Sequence, residues 1–193
     1  MVRESLPEMG PSVPRRGWWL GRAIGRTVMW VAGWSFAGSI PDLSKAVIIV
    51  APHTSNWDFV IGAAGMLALD LDLRFLGKHT LFSGPLGVPM RFLGGIPVDR
   101  EHSSGVVEEM AAQMRLAEHL LLAIAPEGTR GEVARWKTGF HQIARAAGVP
   151  IVAATLDYGR RQIRFREPFE PSQDVEADVE ELQEFFADSH GRR

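Results

Sequence analysis

Short apolar runs alternate with amphipathic stretches along most of the chain. The β-branched run Lys45–Ala51 predicts a buried strand that ends before Pro52. Further strands are predicted at residues 73–78, 94–100, 120–125, 149–156 and 160–165. Helical patterns fall between them at residues 58–72, about 104–119 and 137–147, with a turn and a short helix within 81–93. This alternation predicts one α/β domain with a mixed, mostly parallel sheet flanked by helices.

The first 41 residues differ from the rest, because they carry five arginines, two glutamates and four of the six tryptophans. On a helical wheel three arginines share one face, aliphatic side chains lie opposite, and Trp19 and Trp30 flank the arginines. Such an N-terminal amphipathic helix can lie in a bilayer interface, where indole rings prefer headgroup depth. We therefore expect a membrane-contacting segment over 1–41 and the remaining domain over 42–193. The alternative is a helix that packs on the domain with its tryptophans in the core.

The longest charge-free run of this segment, residues 27–41, is shorter than the roughly 20 residues that a membrane-spanning helix needs. We therefore expect this segment to rest on a membrane surface without crossing it.

The other end of the chain is acidic. Residues 167–188 contain nine acidic residues and no lysine or arginine, and they end in an amphipathic helical pattern. We expect this helix to dock Leu182, Phe185 and Phe186 on the domain and to expose its charged face. The preceding strand carries four arginines within 160–166, which either meet anionic groups of a ligand or form a solvated strand edge.

Composition excludes several classes of protein. With 193 residues, 46% hydrophobic and 23% charged residues, the chain is typical of one folded domain and unlike disordered or polytopic membrane proteins. The net charge of -2 argues against a protein that works mainly by binding nucleic acid phosphates. Because there is no cysteine, disulfides, thiolate nucleophiles, iron–sulfur clusters and cysteine-based zinc sites are excluded.

Three polar loops follow predicted strands, where open α/β sheets place their sites. The first, HTSNWD, offers His53 as a general base and Asp58 as the carboxylate that orients it. The others, GGIPVDR at 94–100 and PEGTR at 126–130, end in arginines that can bind phosphate, while their glycines let backbone N–H groups approach an anion. Taken singly, each loop is equally compatible with a structural ion pair.

Taken together, HTSNWD, GGIPVDR and PEGTR in this order and spacing resemble the glycerolipid acyltransferase family, whose best-known activity is 1-acylglycerol-3-phosphate O-acyltransferase. The resemblance covers about residues 47–156 and includes a fourth motif beginning at Val149. The chain departs from the family pattern at Pro97, Ala125 and Ala153. These departures concern the walls of the site and leave each proposed catalytic group in place.

The resemblance implies transfer of a fatty acyl group from a thioester of coenzyme A or acyl carrier protein to a lysophospholipid hydroxyl, with 1-acylglycerol-3-phosphate as the expected acceptor. His53 and Asp58 would be catalytic, with direct attack and no acyl-enzyme, since the chain has neither cysteine nor a Gly-x-Ser-x-Gly elbow. The implied substrate-binding residues are Lys78, Gly95, Arg100, Glu127, Gly128, Thr129 and Arg130. No metal and no resident cofactor are expected.

Other functions stay open at this stage. The same chemistry could serve another lysolipid or a lipid alcohol, and the pocket could bind lipid without turnover, although binding alone needs no base. A metal-dependent hydrolase is disfavoured because no His-Glu-x-x-His motif occurs, and a nucleotide-binding enzyme because no glycine-rich phosphate loop follows a predicted strand. We expect a peripheral location on the cytoplasmic face of a bacterial cell membrane, with no nucleic acid partner.

Overall fold

The computed structural model describes residues 6–99, 105–128 and 135–191. The strands, in chain order, are β1 Ser35–Ala37, β2 Lys45–Ala51, β3 Leu73–Lys78, β4 Gly95–Val98, β5 Leu120–Ile124, β6 Ile151–Asp157 and β7 Gln162–Phe165. The α-helices are α1 Trp19–Ala32, α2 Asn56–Ala68, α3 Gly87–Phe92, α4 Val106–Leu116, α5 Gly139–Ala147 and α6 Val175–Glu184. Two 3-10 turns, His79–Phe82 and Gly84–Leu86, join β3 to α3.

The seven strands form one sheet in the order β1-β7-β6-β2-β5-β3-β4. Every neighbouring pair is parallel except β6 and β7, which confirms the predicted mixed, mostly parallel sheet. The central strand β2 pairs with β5 and β6, and its Val47 lies opposite Leu122 and Ile151 in the two ladders. Because helices cover both faces, β2 and β6 are apolar at successive positions, and this made them predictable as buried strands.

The edge strand β1 was not predicted, because it lies within residues 1–41, for which the pattern indicated only an amphipathic helix. Helix α1 ends at Gly33, which adopts the left-handed conformation with φ 69°. The chain then extends, and Phe36 of β1 pairs with Ile163 of β7. The N-terminal segment therefore contributes a strand to the sheet as well as a helix.

The helices form two layers because the chain reverses its direction across the sheet. It moves from β2 through β3 to β4 toward one edge and then returns through β5 to β6. Right-handed crossovers therefore place α2 and α3 on one face and α4 and α5 on the other. One core contains Met29 of α1 and Ile61 of α2, and the opposite core contains Met110, Phe140 and Leu182 of α4, α5 and α6.

Helix α1 packs on α2 through small residues. A Cβ added at Gly25 would collide with the backbone of α2, so the two helices approach closely there. Trp34 is buried, whereas Trp19 and Trp30 are 69% and 80% exposed. The alternative of a helix packed on the domain therefore describes the inner face of this segment. Its outer face exposes the indole rings of Trp19 and Trp30 to solvent. In the described part of the chain, no helix is long and apolar enough to cross a membrane.

The acidic C-terminal segment neutralises the basic strand beside it. Helix α6 begins at Val175, four residues before the amphipathic pattern of residues 179–188, and its Leu182 is fully buried. Arg164 of β7 binds Asp188 at 2.7 Å, and Arg166 binds Glu181 at 2.6 Å. Since these arginines have carboxylate partners within the chain, the structure favours an internal role for them over binding an external anion.

Candidate active site

The loops that follow four neighbouring strands converge at one edge of the sheet. Strands β6, β2, β5 and β3 are adjacent and parallel, so their carboxyl ends lie side by side. These ends are followed by Tyr158, His53, Glu127 and the short turn after Lys78, respectively. Residues far apart in the chain are therefore close together at this edge.

Asp58 is placed by the start of α2. Ser55 is the N-cap of this helix, and its hydroxyl oxygen accepts the Trp57 N–H at 3.2 Å. Asp58 reaches back, and its Oδ2 accepts the N–H groups of Thr54 at 2.6 Å and Ser55 at 2.7 Å. This reciprocal capping satisfies backbone donors that the first helical turn leaves unpaired. The spacing from His53 to Asp58 therefore follows from one strand end, one short loop and one capped helix.

The His53 and Asp58 side chains lie against each other. The distance from His53 Nδ1 to Asp58 Oδ2 is 3.4 Å, longer than a typical hydrogen bond. The carboxylate side chain is fully buried, whereas the imidazole remains 25% exposed. With Nδ1 facing the carboxylate, the neutral ring carries its proton there, and Nε2 is left as the basic nitrogen. The arrangement suits a general base that a substrate can reach.

Asp58 is held in its ionised form. Burial alone would raise the pKa of Asp58, but hydrogen bonds from His53, the Ser55 N–H and the Tyr158 hydroxyl outweigh it and lower the pKa below the ordinary value. The helix N-terminus also favours a negative charge at this position. A carboxylate that stays charged at neutral pH can stabilise the imidazolium that forms when His53 takes a proton.

Tyr158 is a site residue that sequence reasoning missed. Its hydroxyl donates to Asp58 Oδ1 at 2.7 Å, and its ring packs edge-to-face on Trp34 with 4.9 Å between ring centroids. Its N–H donates to the carbonyl oxygen of His190 at 2.9 Å, so the C-terminal tail also holds it. The available signal was that the only tyrosine of the chain directly follows a predicted strand.

Glu127 fixes the main chain of His53. Its Oε2 accepts the His53 N–H at 2.7 Å, which joins the loop after β5 to the loop after β2. Burial raises the pKa of Glu127, although the hydrogen bond from His53 acts in the opposite direction. Its role as a substrate-binding residue, which the family resemblance implies, stays a prediction.

The remaining expected substrate-binding residues do not all lie at the edge of the sheet that carries His53. Lys78 is exposed at the end of β3, and Gly128 has φ 68° in the turn beside the Lys137 side chain. Gly95 opens β4 at the far end from these loops, where Phe75 and Phe82 leave no room for a Cβ. Its assignment as a substrate contact stays a prediction. The expected binding residues Arg100, Thr129 and Arg130 lie outside the described residues.

A cavity of about 1170 Å³ opens next to the third motif. Its wall combines apolar side chains such as Ile124 and Phe140 with the cations Arg135 and Lys137. It borders the turn containing Gly128 but does not reach the His53–Asp58 pair. Within residues 6–99, 105–128 and 135–191, no cluster of three or more histidine, aspartate or glutamate side chains could hold a metal ion.

The profile of the Acyltransferase family matches residues 36–157. The chain belongs to the acyltransferase family. This confirms the resemblance drawn from the motifs, and the match extends from β1 to the end of β6, so it contains His53, Asp58 and Glu127.

Two relatives carry names that describe a reaction. The chain is 31% identical over 122 residues to a probable 1-acyl-sn-glycerol-3-phosphate acyltransferase of Mycoplasma pneumoniae, covering 58% of this chain and 44% of that protein. It is 33% identical over 115 residues to human 1-acyl-sn-glycerol-3-phosphate acyltransferase beta, covering 56% and 40%. The chain thus matches less than half the length of these curated relatives.

The crystal structure of the 1-acyl-sn-glycerophosphate acyltransferase PlsC from Thermotoga maritima resembles this acyltransferase with a TM-score of 0.61. The two are 18% identical, and the superposition covers 89% of this chain and 80% of the other. The likeness supports the layered α/β fold and extends beyond the region matched by the family profile.

Proposed function

We propose that this chain is an O-acyltransferase that moves a fatty acyl group from a thioester to the free hydroxyl of 1-acylglycerol-3-phosphate, giving phosphatidic acid. The observation that carries the proposal is the accessible His53 imidazole next to the buried, ionised carboxylate of Asp58. The names of the two relatives support this acceptor.

In the proposed reaction His53 Nε2 accepts the proton of the acceptor hydroxyl while that oxygen attacks the thioester carbonyl carbon. A carbon–oxygen bond forms and the carbon–sulfur bond breaks, and the imidazolium returns its proton to the departing thiolate. Asp58 stabilises the imidazolium, Tyr158 holds the second oxygen of Asp58, and Glu127 holds the backbone of His53. No acyl-enzyme forms, and the lack of cysteine is consistent with this.

The acceptor phosphate would be bound by basic groups at the same edge of the sheet. Lys78 ends β3 there, and Arg100 and Arg130 are the arginines of the second and third motifs. Arginine binds phosphate with two parallel hydrogen bonds, while Thr129 and glycine backbone N–H groups can add single bonds. The thioester of coenzyme A or acyl carrier protein would be the co-substrate.

We further propose that α1 holds the enzyme on the membrane from which a lysolipid is taken, on the cytoplasmic face in a bacterial cell. Its outward face exposes Trp19, Trp30 and Val31, the last by 72%. Such apolar rings and aliphatic side chains bind favourably at headgroup depth.

The test is transfer of labelled palmitate from its coenzyme A thioester to a panel of lysolipids and lipid alcohols on liposomes, comparing wild type with His53→Ala. Transfer to 1-acylglycerol-3-phosphate that vanishes in the variant supports the proposal. Transfer that survives the substitution would contradict the role of the histidine, and preference for another member of the panel would replace the proposed acceptor. Repeating the assay with acyl carrier protein thioesters identifies the donor.

A further inference from the structure

We propose that residues 81–92, here called the α3 segment, form a second membrane-contact element that joins α1 in one surface for an anionic lipid bilayer. The proposal rests on the proposed function, in which the lipid acceptor is taken from the bilayer. It goes beyond that function by assigning membrane contact to a segment that lies between the first and second motifs. No sequence pattern had marked this element as membrane-facing.

The α3 segment exposes an unusual number of large apolar side chains. Leu86, Val88 and Phe92 are 62%, 76% and 61% exposed, and Leu81 adds 37%. Single exposed apolar residues are common on soluble proteins, but four within 12 consecutive residues form a patch. Among the described residues, the most exposed large apolar one is Leu116 at 87%, which ends α4 in the opposite layer and has no such neighbours on its helix.

The α3 segment continues the exposed face of α1. Both lie on the same side of the sheet, since β3 to β4 crosses over on the side of α2. Trp18 at the start of α1 packs edge-to-face on Phe92, with 5.2 Å between ring centroids. Arg16 donates to the Phe92 carbonyl oxygen at 3.2 Å, which ties the chain before α1 to the end of α3. The two exposed surfaces therefore meet at the Trp18–Phe92 contact.

The charge of this layer is complementary to anionic headgroups. The segments that form this layer, residues 15–32, 56–72 and 79–92, carry five arginines and three aspartates. Asp58 and Asp70 are buried, and Asp72 lies 3.8 Å from Arg16. The opposite layer contains α6, within a stretch of nine acidic residues and no basic one. Anionic lipids therefore attract the first layer, whereas a second copy of the chain would meet like charge there.

The test compares Leu86→Gln/Val88→Gln with the matched control Leu116→Gln, both in the full chain. Partition is measured by flotation with vesicles of phosphatidylcholine alone or mixed in equal parts with phosphatidylglycerol. We expect the double variant to partition roughly tenfold more weakly, because two aliphatic side chains lose their burial in lipid. Leu116→Gln should bind like wild type, and phosphatidylglycerol should strengthen binding of both. Thermal melting checks that the variants fold.

Two outcomes would overturn the proposal. The first is wild-type partition of Leu86→Gln/Val88→Gln while Trp19→Gln/Trp30→Gln detaches, which would leave α1 as the only contact. The second is sedimentation as a dimer that the double variant dissociates, since the patch would then bind another copy.

The proposed function is judged separately by transfer to a short-chain, water-soluble lysophosphatidate without vesicles. Wild type and the double variant should be equally active there. Absence of activity in both would contradict the function, while the partition data would still decide on this surface.

Discussion

Two histidine–aspartate pairs in this protein have similar chemistry and different surroundings. His53 and Asp58 lie at the carboxyl edge of the sheet, 3.4 Å apart, with the imidazole 25% exposed. His141 of α5 and Asp178 of α6 are 2.7 Å apart, and the imidazole is fully buried. The shorter contact belongs to the pair that no substrate can reach. Access and position at the sheet edge, rather than a tight hydrogen bond, therefore distinguish the candidate catalytic pair.

The two carboxylates are otherwise alike. Each lies in the first turn of a helix and accepts backbone N–H groups, Asp178 from Ser172 at 2.6 Å. For each, burial acts to raise the pKa, and hydrogen bonds led by the one from histidine lower it below the ordinary value. The difference lies in what each pair joins: one joins the loop after β2 to the first turn of α2 at the edge of the sheet, and the other joins α5 to α6.

The largest expected effect separates the pairs by activity. His53→Ala should reduce kcat by roughly 10²- to 10⁴-fold, because it removes the general base. Its free energy of unfolding should fall less than that of His141→Ala, since the imidazole is 25% exposed and lies 3.4 Å from a carboxylate that keeps three other donors. Steady-state kinetics and urea unfolding measure both quantities. The matched control, His141→Ala assayed where it is folded, should retain kcat, and an equal loss there would remove the distinction.

The next effect concerns stability at the buried pair. His141→Ala should lower the free energy of unfolding by about 3 kcal/mol, because Asp178 would remain as a buried charge without its histidine partner. Urea unfolding at neutral pH measures the difference. Unchanged stability would show that Ser172 alone satisfies the carboxylate.

A third comparison separates the charge of Glu127 from its hydrogen bond. Glu127→Ala should reduce kcat about 30-fold, since the His53 N–H would lose its acceptor and the loop its position. Glu127→Gln keeps an oxygen acceptor and should stay within about threefold of wild type. Equal losses in both would indicate that the negative charge itself contacts substrate.

The fourth prediction uses pH to examine Asp58. Its pKa is lowered in the folded state, so the ionised carboxylate contributes stability above about pH 4, and this contribution is lost as the pH falls through the folded-state pKa. Asp58→Asn keeps the capping acceptor but removes this titration. The unfolding free energy of the variant should therefore fall less steeply than that of wild type as the pH is lowered below about 4. The measurement is urea unfolding at a series of acidic pH values. If the unfolding free energies of wild type and Asp58→Asn fall in parallel, Asp58 is not the ionised carboxylate proposed here.

The smallest expected effect is that of Tyr158→Phe. This change removes one hydrogen bond to Asp58 and keeps the ring against Trp34. We expect kcat to fall about threefold to tenfold with KM unchanged, and the acid limb of the kcat/KM profile to move. A rise in KM alone would instead place Tyr158 at the substrate.

Local patterns predicted most of the elements correctly. The strands Lys45–Ala51 and Leu73–Lys78 have the bounds that the sequence indicated. For Lys45–Ala51 the reason is that a strand buried on both faces must be apolar at successive positions. Helix ends were less well predicted: α2 begins at Asn56, before the expected residue 58, since its cap Ser55 precedes the apolar repeat. The three motifs were visible because each is short and follows a strand.

What the sequence by itself determined is most of the elements, the α/β class and the motifs that carry His53, Asp58 and Glu127, since these depend on contacts within a few residues. Only the tertiary structure decided that β1 joins the sheet, that Glu127 binds the His53 backbone and that Tyr158 reaches Asp58 across 100 positions of sequence. Those contacts form because parallel strands bring their carboxyl ends together in an order set by crossovers, which periodicity along the chain does not encode.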